Sequence, residues 1–341
     1  MTVNSRSVEE WPSAAPLDEA AFRQDIVENC RPIVIRHACA GWPVVHAAKQ
    51  SDERLAAYLA SHDSGQAAEV FHGERTIAGR YHYGANLEGF NFDRQRLNLR
   101  EALMRMAECA ADPERGTLYM GSLPASRHLP RFAAENHLPF LAAEIEPRVW
   151  IGNASLVSCH YDTFDNLACV VAGVRRFTLY PPDAIGDLYV GPIDHTMAGP
   201  PVSLAAGSAP GDPRYPRFEA ARERALTVEL TPGDALYLPK LWWHQVEAVS
   251  PFNVLVNFWW DAFRAGPDAP NTAMMLAMIA IAERPEAERA AWRAFFDHYV
   301  FRPRGHPLAH LPEERRGILG PLARGNYGRI RAAVMQMLRG G

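Results

Sequence analysis

Between residues 149 and 260 the apolar positions fall in short, β-rich runs separated by glycine and proline, whereas on either side they recur at helical spacing. The runs predict strands at 149–152, 167–172, 176–180, 226–230, 235–238 and 254–260. Short strands divided in this way point to an antiparallel barrel or jelly roll. Ahead of it, a polar lead-in and a short helix near 17–29 precede a buried strand at 32–36, which Gly41-Trp42-Pro43 breaks. Helices at 52–60 and 97–111 follow, with strand-like pieces at 68–71 and 81–83. After Trp260 the pattern predicts helices at 272–283, 286–299, 312–323 and 327–338. The division is therefore α/β elements over 1–148, a mainly β barrel over 149–262 with flanking helices, and a helical segment over 263–341. The helix at 272–283 is apolar all round and too short to span a bilayer, so burial is expected, either against the barrel or, in preference, in a homodimer formed through the C-terminal helices. The long stretch 181–224, rich in proline, glycine and alanine, reads as a cover over the barrel.

Composition narrows the partners. A hydrophobic content of 48% supports a sizeable core. A net charge of −4 gives no general attraction to nucleic acid or an anionic membrane, and neither is assigned as a partner. Cys30, Cys39, Cys109, Cys159 and Cys169 are odd in number and irregularly spaced, which fits a reducing cytoplasm better than a disulfide framework. The acidic N-terminus does not read as a signal peptide, and no run reaches 18 apolar residues, so a cytoplasmic protein is expected.

The chemistry concentrates on His160-Tyr161-Asp162 and on His244, which follows two tryptophans. Two histidines and one carboxylate form the facial triad that leaves metal positions open for oxygen and a co-substrate. With 13 histidines in 341 residues, about 0.6 His-x-Asp matches are expected by chance, so the tripeptide alone specifies little. Strand alternation places Ser158, His160 and Asp162 on one face. The competing reading is a pair of hydrogen-bonded core histidines beside a turn aspartate. Alternation also sends Arg175, Phe177 and Leu179 inward and Arg176, Thr178 and Tyr180 outward. An inward arginine needs a partner: either a buried ion pair or a carboxylate clamped by its planar fork. Asn166 and Asn257 offer hydrogen bonds in the same neighbourhood.

The segments Cys159-His-Tyr-Asp-Thr-Phe-Asp-Asn-Leu167, Arg175-Arg-Phe-Thr-Leu-Tyr-Pro-Pro-Asp183, Pro232 to His244 and Val256-Asn-Phe-Trp259 resemble the cupin-like, Jumonji-C group of iron(II) and 2-oxoglutarate dependent oxygenases, its asparaginyl hydroxylases in particular. The resemblance spans roughly residues 30 to 262 and implies a double-stranded β-helix. It implies His160, Asp162 and His244 as iron ligands, with Tyr119, Asn166, Arg175 and Asn257 around the co-substrate. It further implies hydroxylation of a protein or peptide side chain, with a small molecule also possible, and conversion of 2-oxoglutarate to succinate. Arg214, Arg217, Arg222 and Arg224 on the cover would suit an acidic partner or form a solvated face. Two positions depart from the pattern: Arg175 stands where those hydroxylases have lysine, and Val157 where they have threonine. Alternation puts Ser158 on the opposite face from Val157, so it would not replace the hydroxyl. The alternatives are a non-catalytic, metal- and ligand-binding cupin with a regulatory role, and a metal-dependent isomerase or hydrolase.

Overall fold

Two sheets face one another across an apolar interior. The computed structural model describes residues 6–12, 16–197, 199–264, 266, 268–322 and 325–339. Its strands are β1 (Arg6–Ser7), β2 (Glu9–Glu10), β3 (Ile33–Ile35), β4 (Ala68–Gly73), β5 (Arg80–Tyr81), β6 (Asp93–Leu97), β7 (Thr117–Pro124), β8 (Pro147–Gly152), β9 (Ser155–His160), β10 (Asp165–Ala172), β11 (Arg175–Tyr180), β12 (Leu226–Leu230), β13 (Ala235–Leu238), β14 (Trp243–Ala248) and β15 (Asn253–Trp260). One sheet has six strands in the order β1-β12-β11-β14-β9-β5, the other nine in the order β2-β3-β13-β10-β15-β8-β7-β4-β6. Phe177, Leu179, Val228, Leu230 and Val246 from the first sheet pack against Ala168, Val170, Leu236, Leu238 and Leu255 from the second. This is a jelly-roll core with attached helices.

The run 167–172 has no polar alternation because both of its faces are covered. All of β10 is buried. Ala168 and Val170 look into the barrel, while Leu167, Cys169 and Val171 join a second core with Val44, Leu55, Leu59, Leu103 and Met106 from helices on the outer face of the nine-stranded sheet. Those helices are Pro43–Gln50, Asp52–Ser61 and Leu99–Ala111. Ser51 and Asn98 cap the last two by accepting from the backbone N–H groups of Arg54 and Glu101. The strand ends at Ile35, ahead of the break expected at Gly41-Trp42-Pro43, and Pro43 opens a helix, since proline at a first helical position costs no hydrogen bond.

The described residues of the stretch 181–224 pack onto the barrel. Val190 bridges Ser203, and Val202 bridges His160 at the end of β9. Leu188, Ala205, Phe218 and Ala221 pack with Tyr180 and Trp243. The four arginines expected to meet an acidic partner each have a carboxylate within the chain: Arg214 with Asp212, Arg217 with Asp187, Arg222 with Glu219 and Arg224 with Asp183. Their charge is largely spent internally.

The chain divides into two compact units, Met1–Ala262 and Phe263–Gly341. The second contains the helices Pro270–Ile281, Glu286–Phe296 and Asn326–Arg339, with a wider helical turn over Asp297–Phe301. The predicted helix at 312–323 is two short turns, Glu313–Arg315 and Gly317–Leu319. Gly317 adopts a left-handed φ of 56°, and Pro321 follows closely, so a continuous helix is interrupted; residue 323 lies outside the described residues. The expected burial of 272–283 does not occur within the chain, because no residue of Pro270–Ile281 is buried. Among the described residues, no helix is long and apolar enough to cross a membrane.

Candidate metal centre and the cavity around it

His160 ends β9 and His244 is the second residue of β14; the two are cross-strand partners in the antiparallel pairing. Asp162 lies two residues beyond the end of β9 rather than in the strand, and its carbonyl accepts from Leu241 N–H at 2.8 Å. One ligand atom from each of the three lies within 4.8 Å of the others. The imidazole centroids are 4.3 Å apart, and His244 Nε2 is 3.7 Å from Asp162 Oδ2. Nδ1 of His160 sits 2.8 Å from the Ser158 carbonyl, and Nδ1 of His244 sits 3.0 Å from that of Trp242. Donation from both Nδ1 atoms leaves each Nε2 as a lone-pair donor, the tautomer a metal requires. Burial, reinforced by His160, holds the His244 pKa down to about 4, so its ring is neutral at physiological pH. Two neutral imidazoles and a carboxylate suit a transition metal.

A cavity of about 380 Å³ opens on these atoms and is also lined by Tyr119, Asn166, Arg175 and Asn257. All seven residues singled out in the sequence thus border one space. Arg175 begins β11 and is 1% exposed. Its Nε and Nη2 have no hydrogen-bond partner, and among the described residues no carboxylate is paired with it. Burial lowers its pKa, with Tyr119 acting in the opposite sense. The Tyr119 hydroxyl is pushed up to about 12 by burial, although Arg175 pulls it down. Asn257 donates to Asn166 Oδ1 at 3.0 Å, and its own Oδ1 lacks a donor. A buried, unpartnered guanidinium beside a phenol and two amides fits a small dicarboxylate sharing the cavity with a metal.

Tyr119 lies outside every strand predicted from sequence, yet β7 is hydrogen-bonded between β8 and β4 in the nine-stranded sheet. Ser158, His160 and Asp162 all border the cavity, and it is the placing of Val157 on the opposite face that needs correction. His244 pairs with His160 but Val246 pairs with Val157, so β9 carries one extra residue across this interval. That bulge reverses the alternation. Val157 faces the barrel with Phe177 and Val246, while Cys159 turns outward to Tyr180 and Trp243. Ser158 reaches the cavity wall, but its hydroxyl donates to the Tyr81 carbonyl at 2.7 Å.

The sequence reading misses Arg94, Arg148 and Trp150, which line the same cavity. A signal for two of them exists in β8: extending the predicted strand one residue back from Val149 puts Arg148 and Trp150 on one face.

A profile described as the cupin-like domain matches residues 19–266 of the chain. The chain belongs to the cupin-like family. Jumonji-C type proteins are among the relatives of this cupin-like chain. The lysine-specific demethylase JMJ31 of Arabidopsis thaliana is 35% identical over 119 residues, covering 33% of this chain and 20% of its own length. Human HSPB1-associated protein 1 is 31% identical over 150 residues, covering 42% and 30% respectively. The human bifunctional peptidase and (3S)-lysyl hydroxylase JMJD7 is 28% identical over 275 residues, 70% of this chain and 80% of that protein. The chain thus spans less than a third of the length of the first two, and most of the third.

Proposed function

We propose that this cupin-like chain is an iron(II) and 2-oxoglutarate dependent oxygenase that hydroxylates a protein or peptide side chain. The observation that carries the reading is Arg175: a buried guanidinium with unpaired nitrogens in the same cavity as a His-Asp-His triad. Family membership and relatives named as a hydroxylase and a demethylase support oxygenase chemistry in general.

In this reading His160 Nε2, His244 Nε2 and one Asp162 oxygen hold the metal. Arg175 and Tyr119 bind the distal carboxylate of 2-oxoglutarate, and Asn166 and Asn257 orient its other end. Iron(II) with 2-oxoglutarate supplies an oxidant that places one atom of O2 in a C–H bond of the substrate and the other in succinate, with release of CO2. The chain contributes position and dryness. The Asn257–Asn166 hydrogen bond fixes both amides, and Phe177, Val157, Val246 and Leu255 exclude water from the barrel wall. Met197, Pro200 and Val202 from the cover close another side.

Mixing the protein with iron(II) and 2-oxoglutarate without oxygen is expected to give the visible absorption of the metal–keto-acid chelate, lost in His160→Ala. Admitting oxygen should then yield succinate. A folded protein with no such band overturns the reading. We also propose a cytoplasmic homodimer, on five free cysteines and on the exposed apolar side chains of the second unit, which include Met274, Met275, Ile279, Phe295 and Phe301.

A further inference from the structure

We infer that Arg148 is a carboxylate-reading residue at the substrate end of the cavity, so that the segment presented to the site carries an aspartate or glutamate. The inference rests on the oxygenase reading for the word substrate, but the anion site stands on its own geometry. In β8, Val149 and Ile151 are buried in the outer, helix-side core, which leaves Arg148 and Trp150 on the cavity side. Arg148 is the cross-strand partner of Asn257 on β15 and of Pro124 on β7. Its guanidinium is fixed on two sides. Nε donates to Ser122 Oγ, and Cζ lies 5.2 Å from the centroid of the Trp259 ring. Trp259 in turn meets the edge of Trp150, with centroids 5.9 Å apart, and Trp150 stacks on Tyr119 at 5.7 Å.

What the guanidinium lacks is an anion. Among the described residues, neither Nη atom of Arg148 makes a hydrogen bond and no carboxylate is paired with it. A third arginine lining the cavity differs: Arg94 donates through Nη2 to the Met197 carbonyl and has Glu69 3.5 Å from Nη1. Arg175 lies in the wall assigned to the co-substrate. Two further donors, the indole N–H groups of Trp150 and Trp259, are buried without an acceptor. A wall that offers an immobilised fork and two indole N–H groups matches a ligand rich in acceptors. A carboxylate can take both Nη atoms in parallel, an amide only one, and an ammonium group is repelled. Because the stacked side chain is already ordered, little freedom remains to be lost on binding.

The test is equilibrium binding, read by tryptophan fluorescence, of capped alanine pentapeptides with aspartate, asparagine, lysine or phosphoserine at the centre. It uses the whole chain saturated with 2-oxoglutarate, compared with Arg148→Gln, Arg148→Lys and, as a control outside the cavity, Arg176→Ala. The aspartate peptide is expected to bind wild type at least tenfold more tightly than the asparagine peptide. Arg148→Gln should abolish that preference, Arg148→Lys should keep part of it, and Arg176→Ala should keep all of it. Equal affinity of wild type for acid and amide, which requires no variant to fold, overturns the inference. So does a preference that survives Arg148→Gln or disappears in Arg176→Ala, and tightest binding of phosphoserine overturns the choice of carboxylate. A preference without the chelate band removes the oxygenase reading alone, whereas the band without a preference removes this inference alone.

Discussion

Arg175 costs the empty protein stability, because two of its guanidinium nitrogens are buried without partners. Arg175→Met is therefore expected to raise the stability of the ligand-free protein by about 1–3 kcal/mol, while removing the thermal shift that 2-oxoglutarate gives wild type. Paired melting curves with and without 2-oxoglutarate check both halves. Gly121 sets a different limit. A Cβ there would lie 2.1 Å from Trp150 Cε3, so Gly121→Ala must displace the indole, at about 1–3 kcal/mol by urea unfolding. Side-chain placement is legible in the sequence wherever strands alternate regularly: Arg175, Phe177 and Leu179 all point inward as the pattern requires. It fails at Val157, because a bulge leaves no mark in a hydrophobic pattern and shifts the faces beyond it.

At the scale of elements, β11 separates two neighbouring arginines by function. Arg176 points outward to Glu247 at 2.7 Å and Glu229 at 3.2 Å, all three well exposed. Arg176→Ala is accordingly expected to change the unfolding free energy by less than about 1 kcal/mol, measured by urea denaturation, with the 2-oxoglutarate shift intact. The strands that sequence misses are unrecognisable for physical reasons. β6 reads Asp-Arg-Gln-Arg-Leu and buries only its last residue, since it is an edge strand wet along most of its length. β7 holds Gly121 and shifts register between Met120 and Leu123, which hides its alternation. The cover is legible as a long connection, but its anchoring is not: the bridge from Val202 to His160 and the stack of Phe90 on His195, 5.0 Å apart, are long-range.

At the scale of the molecule, the chain divides into compact units between Ala262 and Phe263, and alternation gives way to helical runs after Trp260. Burial of the apolar helix could not follow from its composition, since the surface that would cover it is absent from the unit itself. Ile279 is 83% exposed and Phe301 69%. If that surface joins two copies, Ile279→Glu combined with Phe295→Glu should convert a dimer into a folded monomer in sedimentation velocity, with the chelate band unchanged; an unaltered sedimentation coefficient argues against self-association there. The register of β9 and β14 carries a mechanical consequence as well. Because His160 and His244 face each other across that seam, an ion held by both would act as a rivet between neighbouring strands. Loading with manganese(II) should then slow amide hydrogen exchange along the seam and leave the distant edge strand β6 untouched, so that loss of the ion loosens the wall of the barrel before it unfolds the whole.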